Sequence, residues 1–183
     1  ARVAALKGRP QAKPFPLVVA DFAGVLGLAA PLDTAELAGL RADLTRLAEV
    51  FWPGPLSVLL PTRPGLPALV RDEAGYSSVR VSPHPTVQKI CRALASRNPE
   101  GYGALVATSA NRSGQPAAAT PEQLDPVLLA ALTQAGGGAL LAPPWPAGGP
   151  PSTLIRLTGP GRAKVLRLGA TSLEALSQVF ALD

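Results

Sequence analysis

The chain has 183 residues, 47% of them apolar and 16% charged, and 17 basic against 12 acidic side chains give a net charge of +5. That length suits one domain with a sizeable core, and the composition excludes several classes. No run of about 18 continuously apolar residues exists to span a membrane, a lone cysteine forms no internal disulfide, and one His with one Cys supplies no ordinary zinc ligand set.

Aromatic residues make up 4% of the chain, which leaves little for stacking platforms. The positive charge fits an anionic partner (nucleotide, RNA or acidic protein), or a mildly basic surface with no partner. The sequence starts at Ala1 and contains no Met, so it is not a translation product read from its own start. No secretory pattern opens it, and a cytoplasmic location is expected.

In chain order, residues 14–20 read as a buried strand. Residues 34–51 read as an amphipathic helix, with Leu37, Leu40, Leu44, Leu47 and Phe51 at three- and four-residue steps and Asp33 or Thr34 as cap. Trp52-Pro53-Gly54-Pro55 breaks that helix, and residues 56–60 form a short apolar strand. Residues 78–82 alternate, with Val79 and Val81 on one face and Arg80 on the other. A helix is predicted from Pro85, with Val87, Ile90, Cys91 and Leu94 on its inner face and Cys91 a buried structural thiol.

Residues 105–108 read as a strand running straight into Ser109. Thr120-Pro121-Glu122-Gln123 is a capping box with proline at the first helical position, so a helix is predicted there. Residues 143–151, rich in Pro and Gly, read as a mobile loop. Residues 152–158 and 163–168 read as two strands joined by a Gly-Pro-Gly turn, and Thr171 with Glu174 as a second capping box opening the last helix. Strands and helices alternate and two strands share a short turn, so the chain is expected to be α/β with some antiparallel pairing. Residues 1–183 are expected to form a single domain.

No phosphate-binding P-loop and no dinucleotide fingerprint occurs. No Ser-His-Asp set is evident. His84, between two prolines, reads as a turn residue before it reads as a base. What remains is basic and hydroxylic. Lys7-Gly8-Arg9-Pro10 places two cations two residues apart. On extended backbone they would share one side and clamp a phosphate or carboxylate; otherwise they are a solvated basic terminus. The stretch Thr108-Ser109-Ala110-Asn111-Arg112-Ser113-Gly114-Gln115-Pro116 follows a strand, where α/β sheets bind ligands, and can offer hydroxyls and backbone N–H groups to an anion. It could equally be a polar turn. Arg80 and Ser152 with Thr153 could add contacts. The sequence offers no carboxylate cage, so no metal ligands are expected from protein side chains.

Six segments occur in a familiar order: Lys-Gly-Arg-Pro-x-x-Lys-Pro, Phe-Trp-Pro-Gly-Pro-Leu-Ser, Val-Arg-Val-Ser-Pro-His-Pro, Ser-Ala-Asn-Arg-Ser-Gly-Gln-Pro, Pro-Ser-Thr-Leu and Val-Leu-Arg-Leu-Gly-Ala. In these the chain resembles the YrdC-like family, whose main members are threonylcarbamoyl-adenylate synthases. The resemblance implies an open, twisted mixed sheet flanked by helices and a large basic cleft. It implies that L-threonine, bicarbonate or CO2, and ATP with Mg2+ yield threonylcarbamoyl-adenylate and pyrophosphate. A transfer complex would then carry the group to tRNA, and direct binding of tRNA or double-stranded RNA is a further implied contact.

The family's Lys-x-Arg and Ser-x-Asn signature falls on Lys7, Arg9, Ser109 and Asn111, with Lys7 and Arg9 as the catalytic cations. Further ligand contacts fall on Arg80, Ser113, Ser152 and Arg167. The family also carries a strand and turn resembling Pro-Thr-Glu-Thr-x-Tyr-Gly-Leu before its Lys-x-Arg. These 183 residues begin after it; only a protein that truly lacked that segment would be expected to have an incomplete amino-acid pocket and an open sheet edge. Two other readings stay open: a non-catalytic RNA- or nucleotide-binding relative, and a carbamoyl-transfer domain of the hydrogenase-maturation type.

Overall fold

The computed structural model describes residues 5, 7, 14–31, 38–97, 102–112, 114–134 and 149–183. Their contacts divide the chain into two compact units. One comprises Ala1–Lys13 and Thr108–Gly149, the other Pro14–Ala107 and Pro150–Asp183.

The larger unit holds the sheet. Its elements are β1 (Leu17–Val19), α1 (Phe22–Leu28), α2 (Ala38–Phe51), β2 (Leu56–Pro61), β3 (Tyr76–Val81), α3 (Pro85–Arg97), β4 (Ala104–Val106), β5 (Thr153–Gly159), β6 (Arg162–Arg167), α5 (Leu173–Ser177) and β7 (Ala181–Leu182). The smaller unit contributes a 3-10 turn (Pro121–Gln123) and α4 (Pro126–Gln134). The seven strands lie in the order β4-β1-β3-β2-β5-β6-β7. Pairs β1–β3, β2–β5 and β6–β7 are parallel, while β1–β4, β2–β3 and β5–β6 are antiparallel. The expected mixed α/β sheet is therefore observed, with β4 and β7 at its edges.

Register explains the core. Val79 pairs with both Leu17 and Val58, Val58 with Ile155, and Ile155 with Val165. Because side chains opposite one another share a face, these residues make one apolar row across five strands. Val58, Val79 and Ile155 are wholly buried, as are Leu44 and Leu47 of α2 and Val25 and Leu28 of α1. Full burial of each such side chain stabilises the fold by about 1.5–3 kcal/mol. The alternate positions carry polar and charged residues: Arg80 pairs with Val18, Leu154 with Ser57 and Arg167, and Arg156 with Leu59 and Lys164.

Several sequence-based expectations need correction. α1 was not foreseen. Its start is set by Asp21, whose carboxylate accepts from the Gly24 N–H at 3.1 Å. Ile90 and Leu94, expected on the inner face of α3, are 43% and 41% exposed, and Cys91 alone of that set is fully buried. The thiol sits over β1, donating to the Val18 carbonyl at 3.6 Å. Its expected structural role is borne out, and desolvation raises its pKa.

The capping box at Thr120 opens only the 3-10 turn, and its hydroxyl caps no backbone N–H. The helix begins later, where Asp125 accepts from the Val127 N–H at 2.8 Å. At the last helix the cap is Ser172, not Thr171. Of the expected loop at 143–151, residues 143–148 lie outside the described residues, as do Asp33, Thr34 and Leu37. No helix among the described residues is long and apolar enough to cross a membrane.

Candidate active site

In the smaller unit, one lysine and one loop come together. Lys7 is buried at 6% exposure. Its ammonium donates to the Ser109 carbonyl at 2.5 Å and to Asn111 Oδ1 at 3.0 Å. Asn111 is the hub of the loop. Oδ1 also accepts from Ser109 Oγ at 2.5 Å, while Nδ2 donates to the Gln115 carbonyl. Both ends of the amide are thus used, which fixes its orientation. Gly114 turns the chain at φ +83°, a conformation that costs glycine little and other residues more.

Extended backbone at Lys7 is not what the structure holds. Lys7 itself is helical. Arg9 and Ser113 lie outside the described residues.

Arg112 reaches the far side of the loop. Its Nε lies 2.6 Å from Asp125 Oδ2. Asp125 also caps α4, so a single carboxylate ties the Ser109–Asn111 loop to the helix that follows it. The Val127 N–H, and secondarily Arg112, hold this carboxyl below the usual range. A cavity of about 710 Å3 opens beside the loop, lined by Asn111, Arg112, Gln115, Glu122 and Asp125 among others. That volume falls within the range of roughly 300–1,000 Å3 typical of ligand sites. The Arg112–Asp125 tie escaped sequence reasoning, although Asp-Pro is a readable helix start.

The larger unit brings Ser152 and Arg167 together. Arg167 donates through Nε and Nη2 to the Ser152 carbonyl, at 3.2 and 2.8 Å. The neighbouring Thr153 is wholly buried. Its Oγ1 donates to the Thr171 carbonyl at 2.7 Å and accepts from the N–H groups of Gly169 and Thr171 at 2.9 and 3.1 Å. Gly169 passes so near that a Cβ there would meet the Pro151 carbonyl at 2.0 Å. Only glycine fits.

Arg80, on the sheet face opposite the apolar row, is half-buried, and desolvation lowers its pKa. No hydrogen bond or ion pair holds its guanidinium among the described residues, so it stays available to an anion. His84 is used locally. Its N–H donates to Ser82 Oγ and its Nδ1 accepts from the Thr86 N–H, both at 3.2 Å, which supports the turn-residue reading. Among the described residues no three His, Cys, Asp or Glu side chains form a group able to hold a metal ion.

The model of the Sua5/YciO/YrdC family, described as "Telomere recombination", matches residues 1–169. The threonylcarbamoyl-AMP synthase of Nitrosococcus oceani is 40% identical over 123 residues, which are 67% of this chain and 58% of that protein. The threonylcarbamoyl-AMP synthase of Chromobacterium violaceum is 39% identical over 114 residues, 62% of this chain and 51% of that protein. The chain thus spans little more than half the length of these curated relatives. The crystal structure of P. abyssi Sua5 complexed with L-threonine superposes with a TM-score of 0.72 at 24% identity, over 100% of this chain and 48% of that one, and agrees in fold. Since the family model runs through all but the last residues, the chain belongs to the Sua5/YciO/YrdC family.

Proposed function

We propose that this chain joins L-threonine, bicarbonate and ATP into threonylcarbamoyl-AMP and pyrophosphate, with residues 1–183 acting as one catalytic domain. The observation that carries the reading is the buried Lys7 ammonium held against Ser109 and Asn111, in a chain whose relatives are named threonylcarbamoyl-AMP synthases.

The chemistry matches the residue types. The threonine amine attacks the bicarbonate carbon, hydroxide leaves as water after proton transfer, and a carbamate results. A carbamate oxygen then attacks the α-phosphorus. The new O–P bond forms as the α–β phosphoanhydride bond breaks and pyrophosphate departs. Both reactants are anions, so the barrier is one of charge and alignment rather than of proton abstraction. A lysine is a compact point charge for such a task. Lys7 serves as the phosphate cation, and Asn111 and Ser109 hold it in place. Arg9 and Ser113 keep their family-based roles within this proposal, and Arg80, Ser152 and Arg167 are further ligand contacts. Magnesium would be carried by the triphosphate and would screen its charge. The cytoplasm, where ATP and tRNA meet, is the location this reading implies.

The test is pyrophosphate release from ATP with and without L-threonine and bicarbonate. Release that requires both supports the reading. Release independent of threonine, or none, sinks it.

A second reading concerns RNA. Arg80, Arg156 and Lys164 share one sheet face by register, and such a face could hold the phosphates of tRNA or double-stranded RNA. Backbone binding of this kind weakens steeply as salt rises. The product would pass onward to a tRNA threonylcarbamoyl-transfer complex.

A further inference from the structure

A second cavity, of about 480 Å3, lies in the larger unit and shares no lining residue with the loop site. None of Lys7, Arg80, Ser109, Asn111, Ser152 or Arg167 lines it. Its two charged lining residues, Asp43 and Arg156, are of opposite sign. Asp43 on α2 contributes a carboxylate that is only 3% exposed. Oδ2 accepts from the Gly161 N–H at 2.9 Å, in the β5–β6 turn. That is the carboxylate's one hydrogen bond among the described residues, and no ion pair neutralises it there. Asp43 lines the cavity, and among the described residues no hydrogen-bond partner is found for Oδ1. A buried carboxylate with a free oxygen calls for a cationic donor.

Arg156 stands on the same cavity. Its guanidinium lies 4.8 Å from the Tyr76 ring centroid, and Nη2 approaches Tyr76 Oη at 3.4 Å. Tyr76 thus holds the guanidinium beside the cavity, and N–H groups beyond the one on Tyr76 Oη remain for an anion. Besides Tyr76 and Thr158, the rest of the lining is apolar, Leu40, Leu59, Leu157 and Pro160 among it. An anion alone would be repelled by Asp43, and a cation alone by Arg156. A small zwitterion satisfies both.

We propose that this cavity is a second small-molecule site that takes a free α-amino acid with an apolar side chain, its ammonium against Asp43 and its carboxylate against Arg156. The proposal is independent of the reaction assigned to the loop site.

Titration of the isotope-labelled chain with L-leucine, followed by amide chemical shifts, tests it. The expected result is a saturable shift of the Gly161 amide, with Asp43→Asn and Arg156→Gln each weakening binding by about tenfold or more. Leucinamide, which lacks the carboxylate, and N-acetylleucine, which lacks the ammonium, should fail to bind, and this separates a free amino acid from either end of a peptide. Asp43→Asn is isosteric and Arg156→Gln keeps a polar amide on a shorter stem, and the unperturbed amide spectrum of each checks its fold. Leucine binding should persist in Lys7→Ala. The absence of a saturable shift, equal binding of leucinamide or N-acetylleucine, binding unaffected by both variants, or loss of binding in Lys7→Ala would each overturn the proposal.

Discussion

Lys7 Nζ donates to Asn111 Oδ1 at 3.0 Å across a separation of 104 residues. The same oxygen accepts from Ser109 Oγ, so one amide oxygen aims both the cation and the loop hydroxyl. Lys7 and Asn111 should then act as a unit. Lys7→Ala is expected to lower kcat/KM for pyrophosphate release by about 10- to 100-fold or more, and Asn111→Ala by a similar or smaller factor. The double variant should be little worse than Lys7→Ala alone. Losses that simply multiply would show that the two residues act separately.

The Arg112–Asp125 tie predicts a pH dependence of the loop. Asp125 has its pKa lowered in the folded chain, chiefly by the Val127 N–H and then by Arg112. A carboxyl depressed on folding stabilises the state that binds it above its unfolded value, and that contribution is lost as pH falls through the folded value. Its ordering of the loop should therefore persist down through about pH 3.9, the ordinary aspartate value, and fade only below it. The Val127 amide shift, followed against pH, reads this directly. A midpoint at or above the ordinary value would contradict the tie.

Thr153 predicts a stability effect that needs no ligand to be seen. Replacing it by Val keeps the shape but strands the Gly169 and Thr171 N–H groups and the Thr171 carbonyl. Denaturant unfolding should show a loss of about 1–3 kcal/mol with an unchanged slope. Thr153→Ser, which retains the hydroxyl, should recover most of it. A Val variant as stable as the parent would show that these bonds contribute nothing net.

The fold was largely legible because burial writes itself into sequence periodicity. Val79 and Val81 alternate about Arg80, and Leu44 and Leu47 fall on one helix face. Those positions are the ones the sheet buries. Where the pattern failed, a second influence had won. α1 went unseen because Phe22-Ala-Gly-Val-Leu-Gly-Leu carries two glycines, which propensity counts against a helix. The Asp21 cap and packing on β1 override them. Ile90 and Leu94 follow a helical period as faithfully as Cys91 does, yet α3 turns only the cysteine fully inward. Periodicity identifies an apolar stripe; it does not say how much of the stripe finds a partner.

The site was legible in its residue types and not in its geometry. Spacing and motif order point to Ser109 and Asn111 as ligands for an anion and to Lys7 as the cation. That Lys7 would be helical, and would meet the loop through a carbonyl and an amide oxygen, follows from contacts between distant parts of the chain. No local pattern records those contacts. Asp125 was hidden for the same reason, since its partner Arg112 lies 13 residues away.

The central claim is that the buried Lys7 serves a reaction that joins a threonine carbamate to a nucleotide. Transfer of carbon from labelled bicarbonate into a nucleotide product, measured with ATP and L-threonine for the parent chain and for Lys7→Ala, tests it most directly. The account predicts threonine-dependent label in the nucleotide fraction of the parent chain and its loss in the Lys7→Ala variant of intact fold. Label that never enters the nucleotide, or that enters equally in both proteins, would contradict it.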